Sequence, residues 1–296
     1  MNCVRFFQAS LWRRVGCGGP FFFFIGLTLL DGFRLGADTK TDQLLNQAQA
    51  AQRGGNIGEA LILASQAITA GPTNAQSYYV RGRLYAEDRQ HAKAVADFDQ
   101  ALKLEPRGAE IYQLRGLEQF KLGHFQESCA DLDKFLQFVP QRAAYLWQRG
   151  IACYYAGRYE EGRKQFELHQ TVNPNDVENA AWHFACVARS AGLEKARSSL
   201  LPIKDDPRVP MMQVYALFAG KARPEDVLAA AKGGYASPVQ LNRQLFYAHL
   251  YLGLFYEASG NDKLARKHIT QAAEEFKVDD YMGEVAQVHA ELLRKK

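Results

Sequence analysis

The chain has 296 residues, 47% hydrophobic and 23% charged, with 24 glycines and 10 prolines. That balance excludes a disordered chain, a collagen-like repeat and a Pro-rich linker protein, and the length allows a large core. The formal charge of +4 is concentrated at the N-terminus, since beyond residue 37 the chain carries 32 basic against 31 acidic residues. The remainder therefore lacks the basic footprint of a nucleic-acid binder.

Residues 1–37 read as a targeting segment. Arg5, Arg13 and Arg14 precede the apolar run Phe21–Leu30, which is followed by Gly36-Ala37 and the polar Asp38-Thr39-Lys40. A basic stretch, an apolar run and a small residue at its end are the parts of a secretory signal. Cleavage is expected after Ala37, with export to the periplasm or cell envelope. An uncleaved membrane anchor is the competing reading, although the run is short for a spanning helix. Cys3 and Cys17 both precede the apolar run, so no lipid anchor is expected.

Beyond the leader stand Cys129, Cys153 and Cys186, without a C-x-x-C pair. An odd number without metal-ligand spacing argues for free thiols on apolar helix faces rather than a disulfide framework or zinc site. No cofactor and no metal site are expected.

The body of the chain repeats every 34 residues. Windows begin at Thr41, Ala75, Ala109, Ala143 and Val177. Their eighth places hold Ala48, Gly82, Gly116, Gly150 and Phe184. Their twentieth places hold Ala60, Ala94, Ser128, Gly162 and Ala196. Ala64, Phe98, Leu132, Phe166 and Leu200 occupy the twenty-fourth, and Pro72, Pro106, Pro140 and Pro174 the thirty-second. The small places let two antiparallel helices approach closely, the large ones fill the layers between windows, and proline stops the second helix. One such pair cannot bury its own faces, so neighbours must stack.

This pattern resembles the tetratricopeptide repeat (TPR), most closely over Ala94–Pro106. The resemblance implies an all-α, right-handed superhelix, an α-solenoid, with repeats at 41–74, 75–108, 109–142, 143–176 and a degenerate 177–210. Residues 211–245 read as an irregular helical spacer. A further repeat-like window and a capping helix are expected over 246–296, with Gly253, Gly260, Ala265 and Ala272 in phase.

In such repeats the first helix lines the concave face. The matching positions are Tyr79, Arg83, Gln113, Leu117, Phe120, Lys121, Trp147, Ile151, Tyr154, Tyr155 and Arg189. An aromatic groove with scattered charges suits a peptide or protein ligand. The competing reading is that C-terminal helices fold back over this face, in which case the aromatics are core. The Lys/Asn clamp with which some TPR domains hold a terminal carboxylate is missing, because its places carry Leu45, Gln49, Tyr79 and Arg83.

His183 and Cys186 lie three apart and share a helix face. An all-helical hydrolase or redox enzyme using them is the alternative to a non-catalytic protein. Nucleophilic chemistry needs an orienting partner that the sequence does not provide, so the pair reads as packed core and no catalytic residue is assigned.

The leader, the repeats, the spacer and the stretch Phe246–Asp262 together resemble the NlpI-type (new lipoprotein I) family of exported TPR proteins. That resemblance implies a non-catalytic envelope adaptor that binds other proteins, namely a processing protease or cell-wall hydrolases, and forms a homodimer. The family's lipid-attachment cysteine has no counterpart here.

Overall fold

The computed structural model describes residues 35–234 and 237–295. The leader expected over 1–37 lies almost wholly outside them. The described residues form an all-α, right-handed solenoid of antiparallel helix pairs, without a strand. Successive pairs are α1 (Leu35–Arg53) with α2 (Ile57–Ala70), α3 (Ala75–Glu87) with α4 (His91–Leu104), and α5 (Ala109–Lys121) with α6 (Phe125–Phe138). Then follow α7 (Trp147–Tyr155) with α8 (Tyr159–Gln170), and α9 (Val177–Ala191) with the short α10 (Leu193–Ser198).

The 34-residue places are the contacts that hold each pair. A Cβ on Gly150 would lie 2.6 Å from Phe166 Cζ, and one on Gly82 2.8 Å from Phe98 Cε1. The eighth place must be small because the twenty-fourth fills the space above it. The reversal inside each pair needs a left-handed residue, supplied by Gly55, Gly123 and Gly157 at φ of 78°, 78° and 74°. The second pair instead has Arg89 there, at φ 56°. Asn56 and Asn74 cap α2 and α3 by accepting from the N–H of Glu59 and Ser77.

A polar ladder repeats with the same period. Arg81 donates from Nε and Nη2 to both oxygens of Asp97, at 2.7 and 2.8 Å, and from Nη1 to Ser65. Arg115 holds Asp131 in the same bidentate way and reaches Asp99 at 2.6 Å. Arg149 donates to Asp133 at 2.6 Å. Each arginine thus joins an acid or hydroxyl sixteen residues before it, and the first two also join one sixteen residues after. The forked guanidinium suits this bridging between repeats.

The pattern loosens after α9. Beyond the short α10 the chain runs without regular structure to α11 (Met211–Phe218), which is followed by α12 (Pro224–Lys232). The spacer expected over 211–245 does not end at its expected limit, because α13 (Pro238–Ala258) is one continuous helix crossing it. Ser237 and Gln240 form a capping box with Pro238 in the first turn, so the helix starts there. α14 (Asp262–Thr270) pairs with α13, and a π-helical turn at 271–275 precedes α15 (Tyr281–Lys295). The Gly253–Ile269 approach repeats the eighth-place logic, with 2.5 Å from a Gly253 Cβ to Ile269 Cδ1.

The hydrophobic core is divided unevenly. The first repeats have small local cores around Ala60, Ala64 and Leu84, and around Phe98, Ala101 and Ile111. From Phe120 onward a single core runs through to Leu293, so the C-terminal helices share one interior with the third to fifth repeats.

Candidate functional site

The concave face has two regimes. Over the second and third repeats it is accessible: Arg83 is exposed, and Tyr79, Gln113 and Leu117 are half-buried. The Arg83 guanidinium lies 5.7 Å from the centre of the Tyr79 ring. Burial and neighbouring Glu110 push the Tyr79 phenol up. Lys121 is held back, donating at 2.7 Å to Glu118, which also meets His91 Nδ1 at 2.6 Å. Burial would raise the Glu118 carboxyl, but these two partners bring it below the usual carboxylate range.

Further along, the expected groove is filled. Phe120 and Ile151 are 0% exposed and Tyr154 5%. Trp147 and Tyr155 are half-buried. Tyr281, at the start of α15, stacks on Phe120 at 5.8 Å and meets Trp147 edge-on at 5.2 Å. His289 of α15 packs edge-on against Tyr155 at 5.5 Å. The Tyr154 hydroxyl donates to Glu257 of α13 at 2.9 Å. These residues were expected to line an open surface. They are core instead, because α13 and α15 bring apolar and aromatic surface that needs burial, and the concave face provides it. Arg189 remains exposed at the rim, 3.7 Å from Glu257 and over the Tyr159 ring.

Glu257 is the polar centre of this closure. Burial alone would raise it, but His289 Nε2 at 3.2 Å, with Tyr154 and Arg189, brings its carboxyl down to about 2. The rim is clasped by Arg89, which pairs with Asp279 and, at 3.3 Å, with Glu284 of α15.

His183 and Cys186 are both packed into the core. His183 is 1% exposed and its Nε2 faces Glu167 Oε1 at 3.4 Å. Cys186 is fully buried, and burial pushes its thiol up, away from the thiolate that a nucleophile requires. Cys129, Cys153 and Cys186 are all free and buried, as their helix-face positions predict. Among the described residues no group of three or more His, Cys, Asp or Glu is disposed to hold a metal ion.

Where the solenoid meets its own C-terminal helices, a cavity of about 660 Å³ remains. α7 and α9 give it Trp147, Ile151, Glu178, Asn179 and Trp182. The C-terminal part gives Arg243, Tyr247, Asp280 and Tyr281. Among the polar residues here, Glu178, Asn179 and Arg243 were not singled out in the sequence. Glu178 and Asn179 sit at places two and three of the degenerate fifth repeat, and Arg243 in the expected spacer. Only their tertiary convergence makes them a site.

The fold and this face define a TPR solenoid whose concave side is open at its beginning and filled by its own C-terminal helices further on. Residues 45–109 match the family model described as tetratricopeptide repeat, and the repeat architecture continues past them. No curated protein matches the sequence. A solved tetratricopeptide repeat protein from Parabacteroides merdae ATCC 43184 is similar, with a TM-score of 0.56 and 15% identity over 86% of this chain and 99% of its own. A crystal structure of the MamA protein is similar with a TM-score of 0.51 and 13% identity, over 68% of this chain and all of its own. Likeness at these identities concerns the fold.

Proposed function

We propose that this chain is an exported, non-catalytic adaptor of the bacterial cell envelope that docks other proteins on the open part of its concave face. TPR solenoids are built for such docking, since stacked helix pairs present an extended curved surface. The observation that carries the reading is the difference between the two halves. Tyr79, Arg83, Gln113 and Leu117 stay accessible, whereas the equivalent aromatic positions further on are closed by α13 and α15. Aromatic and arginine side chains at such positions give large contact area and directional hydrogen bonds at small entropic cost.

The leader-like segment supports export, and the resemblance to NlpI-type proteins supports a protease or peptidoglycan hydrolase as the docked protein and a homodimer as the assembly. The test is capture from envelope extract with the tagged chain. A second bait carries Tyr79→Ala, Arg83→Ala, Gln113→Ala and Leu117→Ala, with helicity checked by circular dichroism. Proteins retained by the first bait and lost from the second support docking on this face. Equal capture by both refutes the assignment of the face, and no capture by either refutes the adaptor reading. N-terminal sequencing of the chain recovered from the envelope fraction tests export, with Asp38 as the expected first residue.

A further inference from the structure

We infer that the cavity between α9 and the C-terminal helices binds an organic cation that also carries an amide or carbonyl group, as a basic amino acid or a basic peptide residue does. The volume, about 660 Å³, lies in the range of small-molecule sites and is far larger than a metal ion needs. Its walls include Trp147, Trp182, Tyr247 and Tyr281, and an aromatic lining favours ammonium and guanidinium groups, as Arg243 at 5.9 Å from the Tyr247 ring centre illustrates.

Charge selects the sign of the ligand. Four acidic side chains line the cavity, Asp176, Glu178, Asp279 and Asp280, against a single guanidinium, Arg243. Burial and neighbouring Asp176 raise the Glu178 carboxyl to about 7, and Tyr251 donates to it at 2.6 Å, so Asp176, Asp279 and Asp280 carry the fixed negative charge. Arg243 is engaged with Asp280 at 2.8 Å. The other nearby guanidiniums are each shared. Arg208 serves Asp176, Glu178 and Asp206, and Arg89 serves Asp279 and Glu284. Carboxylate therefore remains in excess, which disfavours phosphate, nucleotide or carboxylate ligands.

Two buried polar atoms call for something more than charge. Asn179 is 3% exposed and Trp182 1%, both line the cavity, and they stand three residues apart on the same side of α9. Asn179 Nδ2 donates to Phe166 and Gln170, but Asn179 Oδ1 has no partner, nor does Trp182 Nε1. Buried polar groups are paired with few exceptions, and an unpaired acceptor and an unpaired donor on one side of α9 match an amide, which offers one of each. The cavity is distinct from the docking face formed by Tyr79, Arg83, Gln113 and Leu117, so this inference stands or falls independently of the proposed adaptor role.

The test is calorimetric titration of the full chain with two probes, L-argininamide and the blocked tripeptide acetyl-Ala-Arg-Ala-amide, with L-glutamate as the anionic control. Saturable binding of either cation and none of glutamate is expected. Binding of the amide alone identifies a free basic metabolite as the source, and binding of the tripeptide identifies a peptide segment. Glu178→Gln removes the ionisable carboxyl at constant size, and Trp182→Phe removes the indole N–H while keeping a ring. Each is expected to weaken binding about tenfold, the effect of losing one charge-assisted or buried hydrogen bond. Unchanged circular dichroism guards against misfolding. Asp280 Oδ1 accepts from the N–H of Met282 and Gly283 at the start of α15, and Asp280→Asn, which keeps that acceptor, serves as a third variant should either of the others lose helicity. No saturation by either cation at millimolar concentration overturns the inference, as do glutamate binding of equal strength or variants that bind like the parent chain.

Discussion

His183 Nε2 stands 3.4 Å from Glu167 Oε1, sixteen residues before it, which is the step that joins Arg149 to Asp133. The histidine is therefore the fifth-repeat rung of the ladder begun by Arg81 and Arg115. Its position three residues before Cys186 follows from the helical period of the ladder. Burial lowers its imidazole, and Glu167 opposes that effect.

The ladder predicts unequal costs along its length. Arg115→Met leaves Asp131, 5% exposed, as a buried carboxylate without its bidentate partner. Breaking a buried pair from one side costs about 3–5 kcal/mol. Urea unfolding should show that loss in full for Arg115→Met. His183→Gln, with a longer contact and a half-exposed acid, should cost at most about 1 kcal/mol and leave partner capture unchanged.

Close approach at the eighth place predicts a steric penalty. Gly150→Ala puts a methyl 2.6 Å from Phe166 Cζ. Overpacking of this kind costs about 1–3 kcal/mol. Phe166→Leu in the same chain should recover part of the loss, because the ring is what the methyl meets. Equal melting temperatures for the single and double variants would contradict this packing.

Closure of the concave face depends on Tyr281. Tyr281→Ala removes the ring that contacts both Phe120 and Trp147. The stability loss should be about 3–5 kcal/mol, as for other buried aromatics. Limited proteolysis should then cut before α15 sooner than in the parent chain, and tryptophan emission should shift to the red as Trp147 gains water. If cleavage and emission stay unchanged, α15 is held by its other contacts alone.

Acid should loosen the C-terminal pair. His249 and His268 face each other Nδ1 to Nδ1 at 2.9 Å, both 6% exposed, with Phe276 and Tyr256 stacked outside them. Burial lowers both to about 4, helped by His268 and the nearby Lys232 and Lys267 for His249, and by Lys267 for His268. The unfolded chain then binds more protons than the folded one between about pH 4 and 6.5. Stability rises with pH across that window and is lost as pH falls through it. A fall from 6.5 to about 4 in one imidazole corresponds to about 3 kcal/mol. His268→Phe should flatten the dependence, as measured by denaturant unfolding at pH 7, 5.5 and 4.5.

The repeats were legible because their physics is local. Gly82, Gly116 and Gly150 stand one period apart, and so do the residues that press on them. The same period carries Arg81, Arg115 and Arg149 with their acids, a signal present in the sequence but overshadowed by the apolar places. The aromatic positions Phe120, Trp147, Tyr154 and Tyr155 were equally visible as members of the first helices. Their fate was not. Whether they face water or Tyr281 and His289 depends on contacts made across more than a hundred residues, and no spacing rule reaches that far.

The sequence by itself determined the helix pairs, their small and large contact places, their turns and the buried thiols, because each follows from neighbours within one 34-residue period. Only the tertiary structure decided that the superhelix closes on itself. That outcome required the apolar surface of α13 and α15 to find the concave face, and it created at once the shared core from Phe120 to Leu293 and the cavity between Trp182 and Tyr247.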